Sequence, residues 1–390
     1  MTQQTEQRIV ERPRFSDQEH DRRTQAIARL MEERSLMALV VYGTAGFGGA
    51  VHYLSDYIPR QPTWLVVSPD QPPTMFLHFV NHVPNTSEIS IIDDIRCYWP
   101  SAVDAVSGEL VKRTAGTGRI GVVGSGAALP YGQLSALERQ FSGCEFIDIT
   151  REINDLRWIR SKEEVARIRM SGSITDAACE YLAENLHSGL TELDAKAILC
   201  SSFIPKGGDE GIIYLSSTDM NNPDRMSPWQ FPGYRVIGDG HAVITEITIN
   251  YFGYGGQIHR PFAVGTGPTA LYKELFDVAV TCFDKIRSVL RNGATSEEVR
   301  DAAMVVQDRD FQLFDSVVHG ETGRNPELGS SGSNHTFEPW TFRTGQVAII
   351  QPNPVTRDGK AGLQAGCAVL IEDDRATPLH GYPLQFPVCG

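Results

Sequence analysis

GDGHAVITEITINYFGYGGQIHRPFAV, residues Gly238 to Val264, reads as a β-hairpin. From Ala242 to Asn250 β-branched residues are dense and alternate with polar ones. Tyr251 to Gly256 supplies a glycine-rich turn, and Gln257 to Val264 runs back as the second arm. Side chains of a strand alternate between faces, so Ile244, Glu246, Thr248 and Asn250 share one side of the first arm, and Gln257, His259, Pro261 and Ala263 one side of the second. Glu246, Gln257 and His259 can therefore point into one pocket. A lone acid in an apolar strand is expensive to bury unless it is paired or used. Glu246 thus lies either on a solvated face or at a site.

Composition narrows the class. A chain of 390 residues is long enough for two domains, each with its own core. With 35 Lys and Arg against 48 Asp and Glu the formal charge is -13, which argues against nucleic acid and anionic membrane as partners. No apolar run approaches the roughly 18 to 20 residues of a membrane span. The N-terminus, MTQQTEQRIVERPRF, has no apolar core of the signal-peptide kind, so a cytoplasmic protein is expected. The seven cysteines are odd in number and lack paired short spacing, a pattern of reduced buried thiols rather than of disulfides or a zinc site.

Along the chain, residues 1 to 15 read as a flexible arm, and Asp17 to Ser35 carries helical spacing at Ile27, Leu30 and Met31. Met37 to Tyr42 is a continuous apolar run of buried-strand type. Further strands at Trp64 to Ser68, Met75 to His78, Ile120 to Val123 and Glu145 to Asp148, with a helix at Leu134 to Arg139, predict an α/β domain over 16–155. Ser161 ahead of Glu163 and Glu164 is a helix N-cap with acids in the first turn, followed by an apolar face at Val165, Ile168, Ile174 and Cys179. It opens a second domain, 156–390. That domain is expected to hold helices at Glu192 to Cys200, Ala270 to Arg291 and Ser296 to Arg309, and a strand at Gly211 to Leu215.

The hairpin's order of a GD, an apolar strand carrying an acid, YFGY and a polar position ahead of HRPF resembles the pita-bread family of methionine aminopeptidases, prolidases, aminopeptidase P and creatinase. Four further stretches carry the same resemblance: LRWIRSKEEVARIRMSGSITDAACEYL from Leu156, FDSVVHGETGRNPELG from Phe314, GQVAIIQPNP from Gly345 and GLQAGCAVLIEDD from Gly362. The N-terminal half, including HYLSDY at His52 to Tyr57, is similar to the creatinase/prolidase N-terminal domain. The resemblance implies an α/β N-terminal domain followed by an α+β pita-bread catalytic domain. It also implies a homodimer in which the N-terminal domain lies near the partner's active site, placing Arg60 as a substrate-binding residue. A guanidinium fork suits a carboxylate, although Arg60 also reads as an ordinary surface residue.

The family's dinuclear site uses Asp, Asp, His, Glu and Glu. At the matching positions this chain carries Glu246, Gln257, His319, Gln351 and Gly366, so one carboxylate remains of four. Two divalent cations would then face about three uncompensated positive charges, each worth about 4 kcal/mol at 4 Å for an effective dielectric near 20. The expectation is therefore no metal and no other cofactor, with a single weakly held ion on Glu246 and His319 as the alternative. Where the family places a catalytic histidine ahead of the GD, this chain has Met226 or Ser227. Creatinase shows within the family that the fold can work without metal. By strand parity the pocket is lined by Glu246, Thr248, Gln257, His259, Gln351, Asn353 and Gln364, with His319 from its own segment. Glu246 is expected as general base or nucleophile, His319 and His259 as catalytic histidines, and Gln257, Gln351, Asn353, Thr248, Arg60 and Gln364 as substrate-binding groups. Cys367 points to the opposite face and reads as a buried thiol.

The expected function is a metal-independent hydrolase of an amide, amidine or guanidino carbon-nitrogen bond in a small polar metabolite. Three alternatives stay open: an inactive pita-bread module that binds peptide or protein, a lyase on the same scaffold, and an Xaa-Pro metallopeptidase with altered ligands.

Overall fold

The apolar run near residue 40 forms the strand Leu36–Gly43 (β1), buried on both sides. Leu39 and Val41 enter one apolar cluster with Ile27, Leu30 and Met31, while Ala38, Val40 and Tyr42 enter another with Trp64 and Val106. A strand covered on both faces needs no polar alternation, which is why the run is continuous. The computed structural model describes residues 12–126, 128–304, 310–320, 327–328 and 339–390.

The chain divides into two units, Met1–Arg157 and Trp158–Gly390. In the first, β1 is joined by Thr63–Ser68 (β2), Gln71–Leu77 (β3), Asp94–Cys97 (β4), Gly118–Val123 (β5) and Cys144–Asp148 (β6) in the order β4-β3-β2-β1-β5-β6. The β1-β5, β5-β6 and β3-β4 pairs are parallel, and β1-β2 and β2-β3 antiparallel. The expected arm ends before residue 15. Phe15 is buried beneath the guanidinium of Arg23, 4.0 Å from its ring centroid, since an aromatic with a cation over its face gains by staying out of water. Residues 1–11 of that arm lie outside the described residues, as do 305–309 of the helix expected to run to Arg309, which is seen over Ser296–Ala303.

The second unit opens with the helix Lys162–Asn185, whose N-terminus carries a complete capping box between Ser161 and Glu164. Among the described residues its main sheet contains Asp209–Asp219 (β7), His241–Tyr251 (β8), Tyr254–Val264 (β9), Val318–Gly320 (β11), Glu327–Leu328 (β12), Val347–Ile350 (β13) and Gly366–Ile371 (β15), in the order β12-β11-β13-β15-β9-β8-β7. Ala376–Pro378 (β16) pairs with β15 and Val388–Cys389 (β17) with β9. Phe311–Leu313 (β10) and Pro354–Thr356 (β14) form a separate ribbon.

The hairpin turn is tighter than expected. Only Phe252 and Gly253 lie outside the strands, both with positive φ (46° and 82°), the two-residue turn that matches the twist of antiparallel arms. Gly255 and Gly256 belong to β9 instead. A Cβ on Gly256 would come within 2.8 Å of the backbone nitrogen of Gly172, so this glycine lets the helix Lys162–Asn185 approach the sheet.

Candidate active site

Within the β8-β9 pair Glu246 lies opposite His259 and Thr248 opposite Gln257, so the four side chains share one face. Ile247, Ile249, Ile258 and Phe262 occupy the other and join the core with Ala178, Cys179 and Leu182 of the helix. Two further elements close the cluster. Gln351 follows β13, which pairs with β11 and therefore brings His319 alongside, and β15 joins this half to β9 through Gly366 opposite His259.

The polar groups form one chain of contacts. Gln257 Nε2 donates to Glu246 Oε1 at 2.9 Å and lies 3.1 Å from His259 Nε2 and 3.4 Å from Gln351 Oε1. Gln351 Nε2 donates to the carbonyl of Ser316 at 3.1 Å, which orients its amide so that Oε1 faces His319 Nε2, 3.1 Å away. The other nitrogen of His319 lies 2.8 Å from the Gly320 carbonyl. Both ring nitrogens thus meet carbonyl-type oxygens, and His319 satisfies both as donor only while it carries two protons.

Burial pushes the Glu246 carboxyl up to about 7, Asp315 nearby pushes it the same way, and the Gln257 amide opposes them. Burial also lowers His259 well below the usual histidine range, with the His319 and Arg260 charges adding to the effect. A neutral His259 accepting from Gln257 carries its proton on Nδ1, a buried atom without a partner. Thr248 Oγ1, Asn353 Oδ1 and Gln364 Oε1 are likewise buried and unpartnered. Unsatisfied buried polar atoms each cost about 1 to 3 kcal/mol, a cost that a polar ligand meeting them would offset.

Residues 166–376 match the metallopeptidase family M24. That span is more than half of the chain. The chain belongs to family M24. Residues 23–159 match the creatinase/prolidase N-terminal domain, so both halves have the architecture that the motifs implied. Among its relatives, an uncharacterized hydrolase/peptidase of Sinorhizobium fredii is 24% identical over 309 residues, 74% of this chain and 76% of the other. An Xaa-Pro dipeptidase of Pyrococcus horikoshii is 23% identical over 251 residues, 63% of this chain and 68% of the other. The fold is shared with the X-Pro aminopeptidase of Thermotoga maritima (TM-score 0.81, 15% identity, 94% of this chain and 99% of that one) and the prolidase of P. horikoshii (TM-score 0.78, 19% identity, 94% and 99%).

The residues of this M24 chain do not fit the metal ions that the family description implies. Gln257 points an amide N–H at the acceptors Glu246 and Gln351, a hydrogen-bond donor where a cation would need an anionic oxygen. Gly366 offers no ligand, and a Cβ there would lie 1.9 Å from the Ile350 carbonyl, so no larger residue is tolerated by this backbone. Glu372 accepts from Thr377 and Arg375, and Asp373 from Thr344, in the turn after β15. Among the described residues no three His, Cys, Asp or Glu side chains come together in a way that could hold a metal ion.

Of the residues singled out from the sequence, Glu246, Gln257, His259, His319 and Gln351 are brought together by hydrogen bonds, and Thr248 shares their face. Asn353 is a wall residue, its amide nitrogen donating to the carbonyls of Met226 (3.3 Å) and Leu363 (2.6 Å). Gln364 is buried two residues before Gly366. Arg60 is exposed and belongs to the first unit. Cys367 pairs with Ile258 on the opposite face, and burial pushes its thiol up to about 11. Sequence reasoning passed over Asp315, which acts on Glu246 across the fold. Its only signal was its place four residues before His319.

Proposed function

We propose that this M24 chain hydrolyses a carbon-nitrogen bond, of amide, amidine or guanidino type, in a small polar metabolite without a metal ion. The observation that carries the reading is the hydrogen-bonded series Glu246, Gln257, Gln351, His319, with a carboxyl raised to about 7 at one end and the His319 imidazole at the other. Glu246 takes a proton from water as the water oxygen bonds to the electrophilic carbon. The carbon-nitrogen bond then breaks, and His319 gives a proton to the leaving nitrogen. Gln257 and Gln351 hold the two ends in register. A base near pH 7 is half ionised at working pH, which suits proton transfer in both directions.

A peptidase reading is favoured by the relatives, several of which are described as peptidases or Xaa-Pro dipeptidases. Both readings break a carbon-nitrogen bond, and they differ in the need for metal. The test is elemental analysis after incubation with manganese, iron, cobalt and zinc followed by desalting, run beside a turnover screen of amides, amidines and dipeptides with and without chelator. Metal below about 0.1 equivalent together with chelator-insensitive turnover supports the proposal on the charge argument above. Stoichiometric metal and chelator-sensitive dipeptide cleavage would sink it.

A further inference from the structure

We propose that Arg225, stacked on Trp229, is the recognition residue for a carboxylate on the substrate; the assignment rests on the hydrolytic reading of Glu246 and His319. Residues 220–240, between β7 and β8, are anchored onto the site. Ser216 lies two residues along β7 from Tyr214, which pairs with Glu246, and its hydroxyl donates to the Ser227 carbonyl at 2.8 Å. Asn353, on the far side of the pocket, donates to the carbonyl of Met226. The backbone of 226–227 is therefore held across the site face, with Gly362 so close that a Cβ there would meet the Met226 oxygen at 2.4 Å.

The rest of the segment is equally committed. Leu215 N donates to the Trp229 carbonyl at 2.9 Å, and the buried Glu192 accepts from Ser217 N and Gly233 N at 2.8 and 3.1 Å. Asp224 takes both arms of Arg235 at 2.8 and 2.9 Å and is thereby occupied. Arg225, immediately before Met226, acts on Asp224 only through its charge, without a direct ion pair. Its guanidinium carbon lies 3.2 Å from the Trp229 ring centroid, its Nε is buried without a hydrogen bond, and among the described residues it forms no salt bridge. Stacking restrains the guanidinium plane, and the Nε–H still lacks an acceptor, a donor that a carboxylate can meet as one of two parallel hydrogen bonds. Trp229 is 44% exposed, so the stacked pair reaches solvent next to the segment that crosses the site face. A substrate with its anionic end on Arg225 would hold its carbon-nitrogen bond inward, against a wall of amides and histidines.

The test uses the intact chain and three probes, N-acetylglycine, N-acetylalanine and N-carbamoylglycine, each against its neutral carboxamide, with binding read by calorimetry and turnover by amine release. At least one carboxylate is expected to bind about tenfold more tightly than its carboxamide, and Arg225→Gln to bring that ratio to about one while carboxamide binding and the melting temperature hold. Arg225→Lys should keep part of the preference, because an ammonium retains charge without the fork. An unchanged ratio in Arg225→Gln overturns the assignment, and so does the absence of any carboxylate binding up to about 10 mM. Discrimination without hydrolysis of any probe would remove the hydrolytic reading alone. Hydrolysis of carboxylate and carboxamide at equal rates would remove Arg225 alone.

Discussion

At the scale of the residue, Glu246 is held in a state that water would not choose. Its folded pKa of about 7 exceeds the ordinary value of 4.5, so the folded protein binds more protons than the unfolded chain between those limits, and stability falls as pH rises through them. Glu246→Gln removes that ionisation. The variant should gain on the parent by about 2 to 3 kcal/mol between pH 5 and pH 8 in urea titrations, while turnover falls by a factor of about 10² to 10⁴. A stability difference that does not change with pH would show that the carboxyl is not perturbed. Asp315 supplies part of the shift, so Asp315→Asn should move the acidic limb of the pH-rate profile downward from about 7, with little change in the plateau rate. A limb that stays in place would assign the perturbation to burial alone.

At the scale of the element, the β8-β9 hairpin is the part on which the site depends, and its position against the helix Lys162–Asn185 is set by the absence of side chains. Gly256 meets the helix backbone at Gly172, and a Cβ on Gly172 would lie 2.5 Å from the Leu379 carbonyl. Gly256→Ala must push helix and strand apart. It should cost about 1 to 3 kcal/mol in chemical unfolding and, since Gln257 is the next residue, should also reduce turnover. If stability is unaffected, the contact is looser than these distances require. The same element scale explains the errors of boundary. GYGG looks like turn material, yet two of its glycines serve a close approach within a strand.

For the whole molecule, the two-domain arrangement was legible early, because each half repeats its own pattern of apolar runs and caps and each matches a family domain. We propose that the chain is a homodimer, as the family resemblance implies. Sedimentation is expected to give twice the 43.0 kDa chain mass, and a monomer at micromolar concentration would refute it. No helix among the described residues is long and apolar enough to cross a membrane. Much of the candidate site was readable too, since strand parity places Glu246, Gln257 and His259 on one face whatever the fold around them. The loss of a histidine at Met226 or Ser227 was readable, but the hydrogen bond from Asn353 to the Met226 carbonyl was not.

The sequence by itself determined the hairpin, the family and the loss of the carboxylates, because these depend on local periodicity and on residue type at motif positions. Only the tertiary structure decided that Gln257 sets its amide among Glu246, His259 and Gln351, that Asp315 bears on Glu246, and that Arg225 stacks on Trp229. Each of those facts depends on groups far apart in the chain and on burial, and burial is a property of the packed whole that no single stretch of sequence carries.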